Sequence, residues 1–201
     1  MTAAPRGRAG TPWLALLRGI NVVGKNKVPM KALASALEAA GLRAVRTYIQ
    51  SGNIVFRSSS GDARALASKI ARLVRREFGC APAVLVISRA ELAAAIAANP
   101  FPDARQNHKW LHLYFLASRP KSPDIESLAS IDAGREAFEF KGDIFYLWTP
   151  EGFADSILRS RIERSLGVPA TARNWRTVNE LLKLLDQSGR GSPPKAPAVP
   201  I

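Results

Sequence analysis

The residues best suited to chemistry in this sequence lie in one loop, one turn and one tripeptide. Gly19-Ile-Asn-Val-Val-Gly24-Lys25-Asn26 comes close to a phosphate-cradling G-x-x-x-x-G-K-[ST] loop. In such a loop the glycines turn backbone N–H groups toward a phosphate, the lysine reaches the outer phosphates and a hydroxyl binds Mg²⁺. Here Asn26 replaces the hydroxyl, and Pro29 sets the helix start four residues too late. No apolar strand ending in a Mg²⁺-binding Asp is evident either. What remains is a looser anion site made by Lys25, Lys27 and the helix N-terminus after Pro29. Its plain alternative is a glycine-bearing turn with solvated lysines.

A second set, Arg18, Asn21, Arg46, Gln50, Ser51 and Asn53, falls at strand ends and in a turn. Positions 46, 48 and 50 share one strand face, so Arg46 and Gln50 flank Tyr48. Amides donate and accept, and a guanidinium grips phosphate or carboxylate with two bonds. Ser51-Gly52-Asn53 reads equally as ordinary hairpin chemistry. The third set, Arg173-Asn174-Trp175, joins a guanidinium, an amide and a flat indole, which can stack a base or sugar and hold a phosphate. Trp175 can as well pack the last helix onto a sheet, with Asn174 or Thr177 capping that helix.

Other chemistries find little material. His108 and His112 have the spacing of a helical zinc site, but Lys109–Ala117 reads as a strand, which separates them by about 13 Å. With only two histidines and one cysteine, Cys80, neither a metal centre nor a Ser-His-Asp triad is expected. No cofactor is expected. Glu136 and Glu139 read as exposed hairpin charge.

The elements that must position these residues follow from the hydrophobic period. Trp13–Ile20 is a buried strand, Met30–Ala40 a helix ended by Gly41, and Val45–Gln50 with Asn53–Arg57 a hairpin. Asp62 caps a helix reaching Phe78, and Ala83–Ile87 is a further strand. Arg89–Ala98 connects. Then come a strand over Trp110–Ala117, a short helix opened by Ser122-Pro123-Asp124, and a hairpin of Glu136–Phe140 with Ile144–Trp148. A helix over Asp155–Leu166, a strand over Ala170–Asn174 and a helix over Thr177–Leu185 complete the series. The order βαββαβ therefore occurs twice and predicts an α+β fold of two successive ferredoxin-like units, 11–88 and 89–187. Residues 1–10 and 188–201, rich in Gly, Pro and Ser, read as disordered tails.

The 201 residues carry 29 Lys and Arg against 16 Asp and Glu, a net charge of +13. The first 60 residues hold nine of those cations and one acid. A field so concentrated favours anionic partners, nucleic acid or a small anionic ligand. Solvated surface arginine is the competing explanation. The apolar run after Arg6 and Arg8 is short and interrupted by Arg18, which is unlike a signal peptide. No stretch has the roughly 18–20 continuous apolar residues of a membrane span. A cytoplasmic monomer is expected. Three functions stay open: a basic binding module for nucleic acid or a nucleotide-like ligand, a small enzyme acting on a phosphorylated or carboxylated metabolite in a cleft between the halves, and a structural or protein-interaction role.

Four blocks carry a family resemblance: Ala15–Met30, Arg46–Phe56, Asn99-Pro-Phe-Pro102 and Thr171–Val178. In that order they resemble the bacterial domain-of-unknown-function family 1697. The resemblance implies paired ferredoxin-like domains and no particular activity. The sequence departs from the family's pattern at Val23, where a second glycine is usual, and at Ile157, where a lysine commonly follows the serine matching Ser156. Both departures weaken an anion site inferred from the family.

Overall fold

A computed structural model describes residues 10–22, 26–105 and 107–189. The first half runs β1 (Thr11–Leu17), α1 (Met30–Ala39), β2 (Arg43–Tyr48), β3 (Asn53–Ser58), α2 (Ala63–Phe78) and β4 (Val84–Ser88). These four strands form one antiparallel sheet in the order β2-β3-β1-β4. After α3 (Arg89–Ala97) and a 3₁₀ turn at Pro102–Arg105, the second half repeats the order as β5 (Leu111–Leu116), α4 (Ile125–Ala129), β6 (Ala137–Lys141), β7 (Ile144–Trp148), α5 (Ile162–Leu166) and β8 (Ala170–Asn174). Its sheet is filled in the equivalent order, β6-β7-β5-β8, again antiparallel. The final helix, α6, spans Trp175–Gly189. The described residues thus form two four-stranded antiparallel sheets and six α-helices, none long and apolar enough to cross a membrane.

Alternation along β1 explains the layering. Trp13, Ala15 and Leu17 face α1 and α2, packing with Leu33, Leu37, Ile70 and Val74. Leu14 and Leu16 point the other way, into a middle core shared with Leu92 of α3, Leu111 and Leu113 of β5, and Val178, Leu181 and Leu185 of α6. The alternate face of the second sheet, with Tyr114, Phe145 and Leu147, packs Leu128, Ile162 and Leu166. Each sheet is therefore covered on both faces. Fully burying one such leucine is worth about 1.5–3 kcal/mol, so the middle core binds the halves strongly. Tyr146 adds a polar tie, its hydroxyl donating to the Ala95 carbonyl at 2.7 Å.

Local signals end the elements as the chemistry requires. The Asp62 carboxylate accepts from the N–H groups of Arg64 and Ala65, and Gly79 closes α2 in the left-handed region. Ser88 and Glu91 form a reciprocal capping box on α3.

Three expectations are corrected. The helix predicted from Asp155 begins only at Ile162, because the Glu136 carboxylate organises the preceding turn. It accepts from the Ser156 hydroxyl at 2.7 Å and from the N–H groups of Ile157 and Leu158. Glu136 is accordingly a half-buried structural acceptor rather than free hairpin charge. The last helix is longer than predicted at both ends, and Ser188, assigned to a tail by composition, is buried on its inner face. Its hydroxyl bonds the Leu184 carbonyl, and its own carbonyl accepts from Arg57. The rest of the predicted tails, residues 1–9 and 190–201, lies outside the described residues.

Candidate functional site

Three chain segments meet where β1 ends, β2 turns into β3, and β8 closes the second sheet. The keystone is Arg173, 8% exposed. Its Nε donates to Asn53 Oδ1, Nη1 to Thr171 Oγ1 and the Ala172 carbonyl, and Nη2 to the carbonyls of Leu17 and Ser51, the last four at 2.8–2.9 Å. All five N–H donors are used, which is the full inventory of a guanidinium. Every acceptor is neutral, and among the described residues no carboxylate pairs with it. Burial alone lowers its pKa to about 10, so it stays charged at neutral pH. The charge is shared among dipoles without being cancelled.

Asn53, fully buried, links this cation to the turn, its amide donating to the Tyr48 carbonyl and Ser51 Oγ. Gly52 is required twice over. Its φ is 77°, and a Cβ there would stand 2.8 Å from Leu17 Cβ. Asn21, at φ 54°, clips the preceding loop onto the same turn. Its Nδ2 donates to the carbonyls of Val28 and Gln50, and its Oδ1 accepts from the Val28 N–H. Asn26, also left-handed, donates to the Gly19 carbonyl. Arg18 leads into this loop and pairs with Glu163 at 2.6 Å, both side chains well exposed. Lys27 is exposed on the loop itself. The platform also shows two apolar side chains to solvent, Val22 at 54% and Ile49 at 53% exposure.

Of the predicted site residues, Arg18, Asn21, Gln50, Ser51, Asn53 and Arg173 come together here, with Lys27 beside them. The roles differ from the prediction. Arg173, Asn53 and Asn21 hold the scaffold and have few or no free bonds for a ligand, because their polar atoms are spent on neighbouring backbone. Gln50 no longer shares a strand face with Arg46, since β2 ends at Tyr48 and Ile49 takes a φ of 48°. Arg46 instead donates to Gln187 on α6. Asn174 caps α6 by accepting from the Thr177 N–H. Trp175 turns away into an open groove of about 370 Å³ with Ile96, Ala97, Asn99, Pro102 and Asn179. Lys25, with Val23 and Gly24, lies outside the described residues.

The junction between the halves also holds a small cavity of about 50 Å³, lined by Arg18, Thr171 and apolar residues of β4, β5 and β8. His112 proves to be a packed residue. It is buried against Phe153 with ring centroids 3.6 Å apart, and burial followed by the Arg159 guanidinium lowers its pKa to about 4. Sequence reasoning missed Ile49, whose only signal was a β-branched residue immediately before a Gln-Ser-Gly-Asn turn.

A family model described as "Protein of unknown function (DUF1697)" matches residues 11–146. The match takes in three of the four sequence blocks and stops before Thr171–Val178. Among solved structures, the chain is similar to the conserved bacterial protein SP0830 from Streptococcus pneumoniae, with 25% identity and a TM-score of 0.62, covering 87% of this chain and 98% of that one. No curated protein matches the sequence.

Proposed function

We propose that this chain, which belongs to the DUF1697 family of proteins of unknown function, is a binding module whose basic first unit engages an anionic polymer of the nucleic-acid class. We read its two halves as ferredoxin-like units whose sheets serve as scaffold rather than as the binding surface, because both faces of each are covered. The observation that carries the reading is Arg173. An uncancelled buried cation bonds the Leu17 carbonyl at the end of β1, Arg18 follows in an exposed pair, and Lys27 is exposed on the loop that continues from it. Such a pair is worth only about 0–1 kcal/mol, so an incoming anion can replace Glu163 at little cost. The surrounding surface has the same sign. Among described residues 10–88, nine exposed Lys and Arg stand against three exposed carboxylates.

The enzyme reading is less well supported. The cavity between the sheets, about 50 Å³, is far smaller than the roughly 300–1,000 Å³ of small-molecule sites. The larger groove beside Trp175, about 370 Å³, is lined among the described residues by Ile96, Ala97, Asn99, Pro102, Trp175 and Asn179, with no charged side chain to grip a phosphate or carboxylate. A polymer lying across the surface needs no such enclosure.

The test is a titration of a single-stranded oligonucleotide at several salt concentrations. If about four to six phosphates are neutralised, log K against log[salt] falls with a slope of about −3 to −4. Changing Lys25 and Lys27 to Ala weakens binding uniformly across sequences and makes the slope shallower by about one. No binding at about 50 mM salt and tens of micromolar protein would reject the reading.

A further inference from the structure

The turn around Ile49 is held at its neighbours, Asn53 bonding the Tyr48 carbonyl and Asn21 the Gln50 carbonyl, and nothing in that arrangement calls for a β-branched side chain. The Ile49 φ of 48° lies in the left-handed region, where a β-branched side chain is a genuine outlier and backbone strain is substantial. The strain secures no buried packing, since the side chain stays 53% exposed. Val22 is 54% exposed on the facing loop, and the bond from Asn21 Nδ2 to the Gln50 carbonyl, 2.9 Å long, clips these segments together one residue from each apolar side chain. Two exposed apolar residues thus flank the Asn21–Gln50 bond, on the same surface as the cationic loop.

We infer that Val22 and Ile49 form an apolar clamp for an unpaired nucleobase, so that the polymer this platform takes is single-stranded nucleic acid. The inference rests on the anionic-polymer reading above and names its ligand more closely. A single strand offers what the platform can use: phosphates for Lys27 and Arg18, and a free apolar base face for Ile49 and Val22. A duplex hides its base faces by stacking, and a polyanion without bases leaves the two aliphatic side chains exposed.

The experiment compares three labelled probes by fluorescence anisotropy at about 50 mM salt: a ten-nucleotide thymidine strand, an abasic strand with the same phosphates, and a ten-base-pair duplex. Covering two aliphatic side chains that are each half exposed changes affinity by about 10- to 150-fold. The full chain should therefore prefer the thymidine strand over the abasic one by about tenfold or more, with the duplex nearer the abasic strand. Ile49→Gly and Ile49→Asn, which tolerate the left-handed conformation, and Val22→Ala should shrink that preference toward one. Both Ile49 variants should hold or raise the melting temperature, because they relieve strain and lose little packing. A fall in melting temperature would instead mark Ile49 as structural and overturn the clamp. Equal binding of thymidine and abasic strands, or unchanged preference in the variants, also overturns it while leaving the charge reading intact. Binding to none of the probes overturns the charge reading itself.

Discussion

Arg173 is the residue on which the platform depends. Its five donors converge on oxygens from β1, the β2–β3 turn, β3 and its own strand. Lysine keeps the charge but offers three donors without the planar fork. Arg173→Lys should thus destabilise the protein by about 2–4 kcal/mol in urea unfolding, since each buried acceptor left unmade costs about 1–3 kcal/mol. A change below about 0.5 kcal/mol would show that solvent replaces the guanidinium freely. His112 gives a second prediction. Its ordinary pKa of 6.5 falls to about 4 on folding, so the unfolded chain binds the extra proton. Stability should be complete above about pH 6.5 and decline as pH drops toward 4, by at most about 3 kcal/mol. His112→Phe, which retains the stack on Phe153, should flatten the melting temperature across that range. At this scale the sequence made residue types legible but not their tasks. Arg173-Asn174-Trp175 looked like one ligand-binding set. A local tripeptide cannot reveal that Arg173 reaches residues 120 or more positions away, that Asn174 caps a helix, and that Trp175 faces a separate groove.

At the scale of elements, hydrophobic period worked wherever the period itself decides structure. The eight strands and the longer helices were legible for that reason, as the alternating faces of β1 and the buried stripe of α2 illustrate. It failed where a distant side chain decides. Asp155–Arg161 has helical spacing, yet Glu136 from before β6 captures its N–H groups and delays α5 to Ile162. Glu136→Ala removes three accepted bonds and should lower stability by about 1–3 kcal/mol, with Glu136→Gln recovering part of it. Equal melting temperatures for Glu136→Ala and the parent would mean the turn holds itself. Composition misjudged the end of α6 for a similar reason, since Ser188 looks like a linker residue until Arg57 of β3 bonds its carbonyl.

On the scale of the whole molecule, the middle core belongs to neither half alone. Leu14, Leu16 and Val55 from the first sheet pack with Leu111, Leu113 and Tyr146 from the second. Separating the halves would expose that entire surface, so the chain should unfold as one cooperative unit. Trp13 reports the first half, while Trp110, Trp148 and Trp175 report the second. A chain keeping Trp13 and one keeping only the other three should show the same urea midpoint, and midpoints differing by more than about 0.5 M would show independent halves. The same long-range dependence sets a schedule for the protein as it is made. Asn53 and Ser51 leave the ribosome early, but the guanidinium that fixes them belongs to a residue 120 positions after Asn53. At about 5–20 residues per second, translation spends roughly 6–24 s between the two. Throughout that interval a nascent chain carries the β2–β3 turn without the guanidinium that bonds it. The platform matures only as β8 emerges, which ties acquisition of the surface to synthesis of the second sheet.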